Sequence, residues 1–341
     1  MAIKSTSCTP VKNKFRSVSV LVLVAFAAIV SCQTKQRSAV REEIPSSSNS
    51  TPPIPGQAEI PMPPSEPGVP STEDVVMTPP PPQPPARVPK IGIILGPGGA
   101  KTWAHLGVFH ELQRNKIPVV GVVGIEWGAP MAALYAHKGY ANEAEWQMFK
   151  LQDSDFVPKG GGLFASGNSL SIDAFGNFLK TIFGSTKSSE LRLPFGCPAF
   201  NLQKVQTYVM NRGPLQQFLP YCMALPPIFK AYRQNFSAAL DFSVSIDFLR
   251  KNGANTVWLV NVLKNANSSR GLVGAEGSAD SFLWSEIVAF QERKWPGLDA
   301  VVEISLPQYS VTDFAKRREI MNSGKEQAAK SLEKLMKKWN L

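Results

Sequence analysis

The sequence predicts an α/β fold on a mostly parallel sheet, and three observations carry that expectation. Short, wholly apolar runs at Ile91–Leu95 and 119–123 are closed by glycine-containing breaks, the texture of strands buried on both faces. Each run is followed by a segment with helical spacing. The repeated order of strand, sharp turn and helix is the one that right-handed βαβ crossovers require.

Taken in order, Ile91-Gly92-Ile93-Ile94-Leu95 reads as the first buried strand and Gly96-Pro97-Gly98-Gly99 breaks it. Residues 103–115 read as a helix, with Trp103, Leu106, Phe109 (or His110) and Leu112 on one face. Residues 119–123 form a second strand, 124–128 a turn, and 129–137 a helix of small residues. Further strands are expected at 256–262 and 300–304. A closing helix is expected at 312–339, capped by Thr312, with Asp313 in its first turn. Phe314, Met321, Ala328, Leu332, Leu335 and Trp339 make its apolar stripe.

The first 89 residues have a different texture. Lys4, Lys12, Lys14 and Arg16 precede an apolar run at 18–30, which is too short for the ~20 residues a membrane-spanning helix needs. The run ends in Ile29-Val30-Ser31-Cys32 and resembles the lipobox of bacterial lipoproteins. That resemblance implies cleavage before Cys32 and its lipidation. It also implies a place in the bacterial cell envelope, with Gln33 pointing to the outer membrane. Residues 1–31 are therefore expected to be a lipoprotein signal peptide, and 32–89 a lipidated Cys followed by a Pro/Ser-rich disordered linker. Residues 90–341 are expected to be the single globular domain. Fifteen of the 29 prolines fall between Pro52 and Pro89, and such a stretch buries too little to offset its ordering entropy.

The net charge of +10 falls to about +6 once the four cations of the signal are removed, so the charge makes no case for nucleic acid. Four cysteines (Cys8, Cys32, Cys197, Cys222) and three histidines match no zinc spacing, and no metal or cofactor is expected. Cys197 and Cys222 are read either as a disulfide or as two separate buried thiols. His105 is read as a packed helix residue, and His110 and His137 as surface or rim residues. Residues 160–162 are read as a flexible loop and 265–280, polar and Gly/Ser-rich, as an exposed one.

Several ordered motifs resemble the patatin-like phospholipase family. Gly98-Gly99-Ala100-Lys101, then Ala104-His105-Leu106-Gly107-Val108, then Gly124-Ile125-Glu126-Trp127-Gly128 are similar to its glycine-rich loop, first helix and nucleophile elbow. The small-residue stretch 132–136 continues the match. Residues 224–229 and 248–255 resemble the family's S-I-P-x-x-F-P segment and the helix after its aspartate. The resemblance covers about residues 90–335. It implies a three-layer α/β/α domain in which a Ser-Asp dyad attacks an acyl ester while loop amides hold the oxyanion.

The dyad positions depart from that pattern. Glu126 stands where the elbow serine belongs, with Trp127 after it, and counting back from Gly253 places Ser237 at the aspartate position. Asp241 lies four residues further on and is no evident substitute. Pro97 and Thr102 replace two loop glycines. The leading expectation is a pseudoenzyme with a lipid-binding or scaffold role: held on the membrane through Cys32, with a phospholipid or fatty-acyl group as possible ligand and no nucleic acid. The alternative is an active acyl-ester hydrolase in which Glu126, its pKa raised in an apolar elbow, is general base and Gly98 and Gly99 form the oxyanion hole. Two readings of the cleft also stay open: an open apolar groove favours lipid binding, and one filled by Trp127 favours a scaffold. A pairing of Glu126 with Lys101 is the bland account of the carboxylate. A nucleotide P-loop at 95–102 fails, because Leu95 and Ala100 stand where it needs glycine.

Overall fold

The computed structural model describes residues 88–152, 172–226, 228–266, 279–339 and 341. The signal, the linker up to residue 87, the glycine run at 160–162 and most of the 265–280 loop lie outside them. The described elements belong to one compact unit, 81–341. In chain order they are β1 (Ile91–Leu95), α1 (Ala104–Arg114), β2 (Val119–Gly124), α2 (Gly128–Lys138), α3 (Ala141–Met148), α4 (Gly176–Phe183), β3 (Phe195–Asn201), β4 (Gln206–Met210), α5 (Leu215–Met223), β5 (Asn235–Ser237), α6 (Ser243–Lys251), β6 (Thr256–Lys264), α7 (Ala279–Gln291), β7 (Ala300–Ser305) and α8 (Arg317–Trp339).

The seven strands form one sheet in the order β4-β3-β2-β1-β6-β7, with β5 also on β3. The run β3-β2-β1-β6-β7 is parallel, and β4 and β5 are antiparallel to β3. β1 is central and buried throughout. Its alternation splits the core in two, as a pleated strand must. Ile91, Ile93 and Leu95 join the side chains of α1, α2 and α8 on one face. Ile94 joins Ile246 and Leu249 of α6 and Trp284 and Ile287 of α7 on the other. This is the expected α/β/α sandwich around a mostly parallel sheet. Among the described residues, no helix is long and apolar enough to cross a membrane.

Two boundaries differ from the sequence reading. A 3-10 turn at Gly99–Trp103 precedes α1. The closing helix begins at Arg317 rather than 312, and Thr312 does not cap it. The segment before it is held by other bonds: Asp313 Oδ2 accepts the Ser310 amide at 2.7 Å, and the Val311 carbonyl accepts the Ala100 amide at 2.7 Å. With these groups committed to a turn and to the glycine loop, a 3-10 turn opens at Phe314 and the α-helix only at Arg317. The expected stripe of α8 is buried at Met321, Ala328 and Leu332, and Ile320 and Gly324 join it.

Cys197 of β3 and Cys222 of α5 form a disulfide, with Cα atoms 5.9 Å apart. It ties the sheet to the helix that supports the site.

Candidate active site

β2 ends at Gly124, and α2 starts at Gly128 after a three-residue turn. Glu126 sits at the tip with φ +55°, a left-handed conformation rare for a residue with a side chain. This is the strained strand-turn-helix geometry that lifts a side chain out of a sheet. The turn is tight enough that a Cβ on Gly124 would collide with the backbone of Gly128 and Ala129. The turn is closed by Gly128 N–H to Ile125 O at 2.9 Å and Ala129 N–H to Glu126 O at 3.0 Å.

The glycine loop lies opposite. Gly98 is extended, and Gly99 has φ +55° and packs so closely on Val311 that a side chain there would strike its carbonyl. Both amides point at one atom: Glu126 Oε2 accepts Gly98 N–H at 3.1 Å and Gly99 N–H at 2.8 Å. The carboxylate therefore occupies a pair of convergent backbone donors, which is the arrangement of an oxyanion hole. Of the four residues expected to form the anion loop, only Gly98 and Gly99 aim amides at the elbow. The Ala100 amide is spent on Val311, and the Lys101 amide on Gly98 O at 3.0 Å.

His105 fixes this loop. Its Nε2 lies 2.8 Å from Gly96 O, and because a carbonyl only accepts, Nε2 carries the proton. Burial pushes the ring's pKa down to about 4, so it is neutral near pH 7. The bond from α1 back to the loop gives this histidine a role that helical spacing did not reveal.

Lys101 is not the partner of Glu126. It is fully buried, with its charge coupled to Asp313 beside α8, and desolvation lowers its pKa to about 8. The suggested pairing is corrected accordingly, and Glu126 draws its compensation from backbone amides. Burial pushes the Glu126 carboxyl up to about 7, against the amides of Gly98, Gly99 and Trp127, which favour the charged form.

Ser237 ends β5 beneath the elbow. Its Oγ accepts the Glu126 amide at 3.0 Å, and the Cys222 carbonyl takes the same N–H at 3.2 Å. The Ser237 amide donates to Ala224 O at 2.7 Å, which ties it to the segment after α5. Asp241 faces α6, accepting the Ser243 amide at 2.9 Å and its hydroxyl at 2.6 Å. Its hydrogen bonds are spent on the first residue of α6, and none reaches Glu126 among the described residues.

Trp127 is fully buried. Its ring lies 4.8 Å from that of Phe175 in edge contact, 5.0 Å from Phe314 and 5.7 Å from Phe229. The space beside the elbow is thus packed with four aromatic rings. Glu126, Gly98 and Gly99 are buried as well. Among the described residues, no cluster of His, Cys, Asp or Glu has the geometry of a metal site.

An α/β sandwich whose strand-turn-helix elbow faces a two-amide donor loop is the framework of an acyl hydrolase. Residues 93–241 match the family model described as patatin-like phospholipase. The likeness to a patatin-like phospholipase domain lies in those residues, and NTE-family relatives support it. It is 25% identical over 140 residues to an uncharacterized NTE family protein of Mycobacterium tuberculosis, a match covering 41% of this chain and 39% of that protein. It is 24% identical over 194 residues to lysophospholipase nte1 of Aspergillus fumigatus, covering 50% of this chain and 12% of that one. The matches thus span well under half the length of either relative. The crystal structure of VipD from Legionella pneumophila superposes with a TM-score of 0.46 at 13% identity, over 73% of this chain and 67% of VipD.

Proposed function

We propose that this chain is a patatin-like domain that does not hydrolyse acyl esters and serves as a scaffold at a membrane surface. One observation carries the reading: Glu126 Oε2 already accepts the two amides that would receive an oxyanion. A substrate carbonyl would have to displace a carboxylate from its own donors, at a position that offers no hydroxyl to attack it. Ser237, at the position of the family's aspartate, cannot act as a carboxylate base. Loss of a nucleophile alone costs ~10⁶ in turnover in a comparable hydrolase. The packing of Trp127 against Phe175, Phe229 and Phe314 favours a scaffold over an acyl-chain receptor at this cleft.

The alternative in which Glu126 is general base fares worse on the same geometry, because one buried carboxylate would have to leave the hole that its mechanism needs empty. For the tether, the reading rests on the signal-like segment ending at Cys32, with 33–89 as spacer. The Cys197–Cys222 disulfide suits the oxidising compartment that export would reach.

The test is a fluorogenic acyl-ester and phospholipid assay on the wild type, Glu126→Ala and Glu126→Ser/Ser237→Asp. We expect wild type and Glu126→Ala to be indistinguishable from the buffer rate. Wild-type turnover well above background and abolished by Glu126→Ala overturns the proposal. Retention of Cys32→Ala in the membrane fraction would overturn the lipid tether.

A further inference from the structure

A polar cavity lies against α5, lined by its Gln216, Gln217, Phe218 and Tyr221. It measures about 560 Å³, within the ~300–1,000 Å³ range of small-molecule sites. Lys180, Arg212 and Arg233 line it together with Tyr221, Tyr232 and Gln217, and no lining residue is acidic. Lys180 and Arg212 are exposed and form no ion pair among the described residues. Three like charges in a cavity with no acidic lining residue repel one another, and an anion is the ligand that relieves them.

Arg233 is held in place by more than its neighbours' charge. It and Gln234 form a two-residue reversal in which Tyr232 and Asn235 exchange both backbone hydrogen bonds at 2.9 Å. Both residues have positive φ, 45° and 63°. Turns of this kind favour Asn and Gly, so an arginine here is conformationally costly. A buried amide fixes the turn. Asn235 Nδ2 donates to Arg233 O at 2.6 Å, and its Oδ1 accepts Tyr208 O–H at 2.9 Å and Asn201 Nδ2–H at 3.0 Å. The guanidinium then lies over the Tyr232 ring, 5.3 Å from its centroid, and donates to Tyr221 Oη at 3.3 Å. The tyrosine contacts raise its pKa. Among the described residues, Asp173 is a carboxylate that acts on Arg233. It lies in an adjoining cavity of about 300 Å³ that also holds Lys230, so cations remain in excess on that side.

We propose that this groove binds a phosphate ester, with Arg212 and Arg233 as planar forks on the phosphate oxygens and Lys180 as the third cation. The phosphate can belong to a phospholipid headgroup or to a soluble phosphate, since the recognition chemistry is the same. The site is independent of Glu126 and of any hydrolase activity.

The experiment uses the full chain and three probes: inorganic phosphate and glycerol 3-phosphate by calorimetry, and phosphatidylglycerol against phosphatidylcholine vesicles by flotation. Wild type is compared with Arg212→Glu/Arg233→Glu, with the milder Arg212→Gln/Arg233→Gln as a second variant. Lys251→Glu/Lys294→Glu carries the same charge change at exposed sites elsewhere. Every variant carries the same N-terminal segment, so its own vesicle affinity cancels. We expect both arginine variants to lose at least tenfold in affinity for one or more probes, and the lysine control to lose less than twofold. Loss for the soluble phosphates assigns the site to a free phosphate ester. Loss confined to phosphatidylglycerol vesicles assigns it to a headgroup. If no probe separates wild type from the arginine variants, or the lysine control loses as much, the groove is not a site.

Discussion

The backbone of the elbow and the side chains it presents obey different rules. Gly124, Gly98 and Gly99 are set by steric fit: a methyl group at Gly124 meets the backbone of Gly128 and Ala129, and one at Gly99 meets the Val311 carbonyl. Glu126, Trp127 and Ser237 are set by chemistry, and here the chemistry is that of a closed site. The framework builds two convergent donors and a strained tip, and the presented carboxylate then fills the donors itself. On the proposed reading, an acyl-hydrolase framework does not by itself make a hydrolase. The decision rests on three side chains, of which Trp127 alone also packs deep in the core.

That contrast is sharpened by substitution, beginning with the largest effect. Gly124→Ala is expected to cost more than ~4 kcal/mol and to yield little folded protein, because neither colliding backbone can give way. Glu126→Ser should fold, and thermal denaturation of the two side by side reads the difference. Cutting the Cys197–Cys222 link with a double serine variant should cost about 3–4 kcal/mol, from the 25-residue separation it closes, as measured by urea denaturation.

A smaller effect isolates the carboxyl. Glu126 keeps its proton in the folded state up to about pH 7, whereas an unfolded glutamic acid releases it near ~4.3. The stability this group contributes is therefore full below ~4.3 and is lost as pH rises through 7. Glu126→Gln, which stays neutral, should gain up to about 3 kcal/mol over wild type between pH 4 and 8. His105, neutral in the fold down to about 4, tilts stability the other way below ~6.5. The difference between the two proteins at each pH thus reads Glu126 alone.

The sequence disclosed the frame better than the contents. β1, β2, β6 and β7 were legible because buried parallel strands are unbroken apolar runs, and α2 because small residues follow a tight glycine turn. β3 and β5 were not. β3 carries Gly196 and Pro198 within its span, and β5 is three residues long. α5 hides behind its internal Pro220. Within the site, the elbow and loop were recognisable as spacing. That Glu126 reaches back into the amides of Gly98 and Gly99 was not, since sequence spacing does not give side-chain direction across 27 residues. Nor did it show that His105 serves the loop, that Lys101 answers to Asp313, or that Arg233 rides a left-handed turn. The first two are side-chain directions and the third a backbone conformation, none of which residue spacing encodes.

The most direct measurement is the amide chemical shift of Gly98 and Gly99 by NMR as pH is varied. If the carboxylate of Glu126 fills the hole, both amide protons should shift together with a midpoint near pH 7, and Glu126→Gln should abolish the titration. Amides that stay flat in the wild type, or that titrate unchanged in Glu126→Gln, would show that the carboxylate lies elsewhere and the hole stands open.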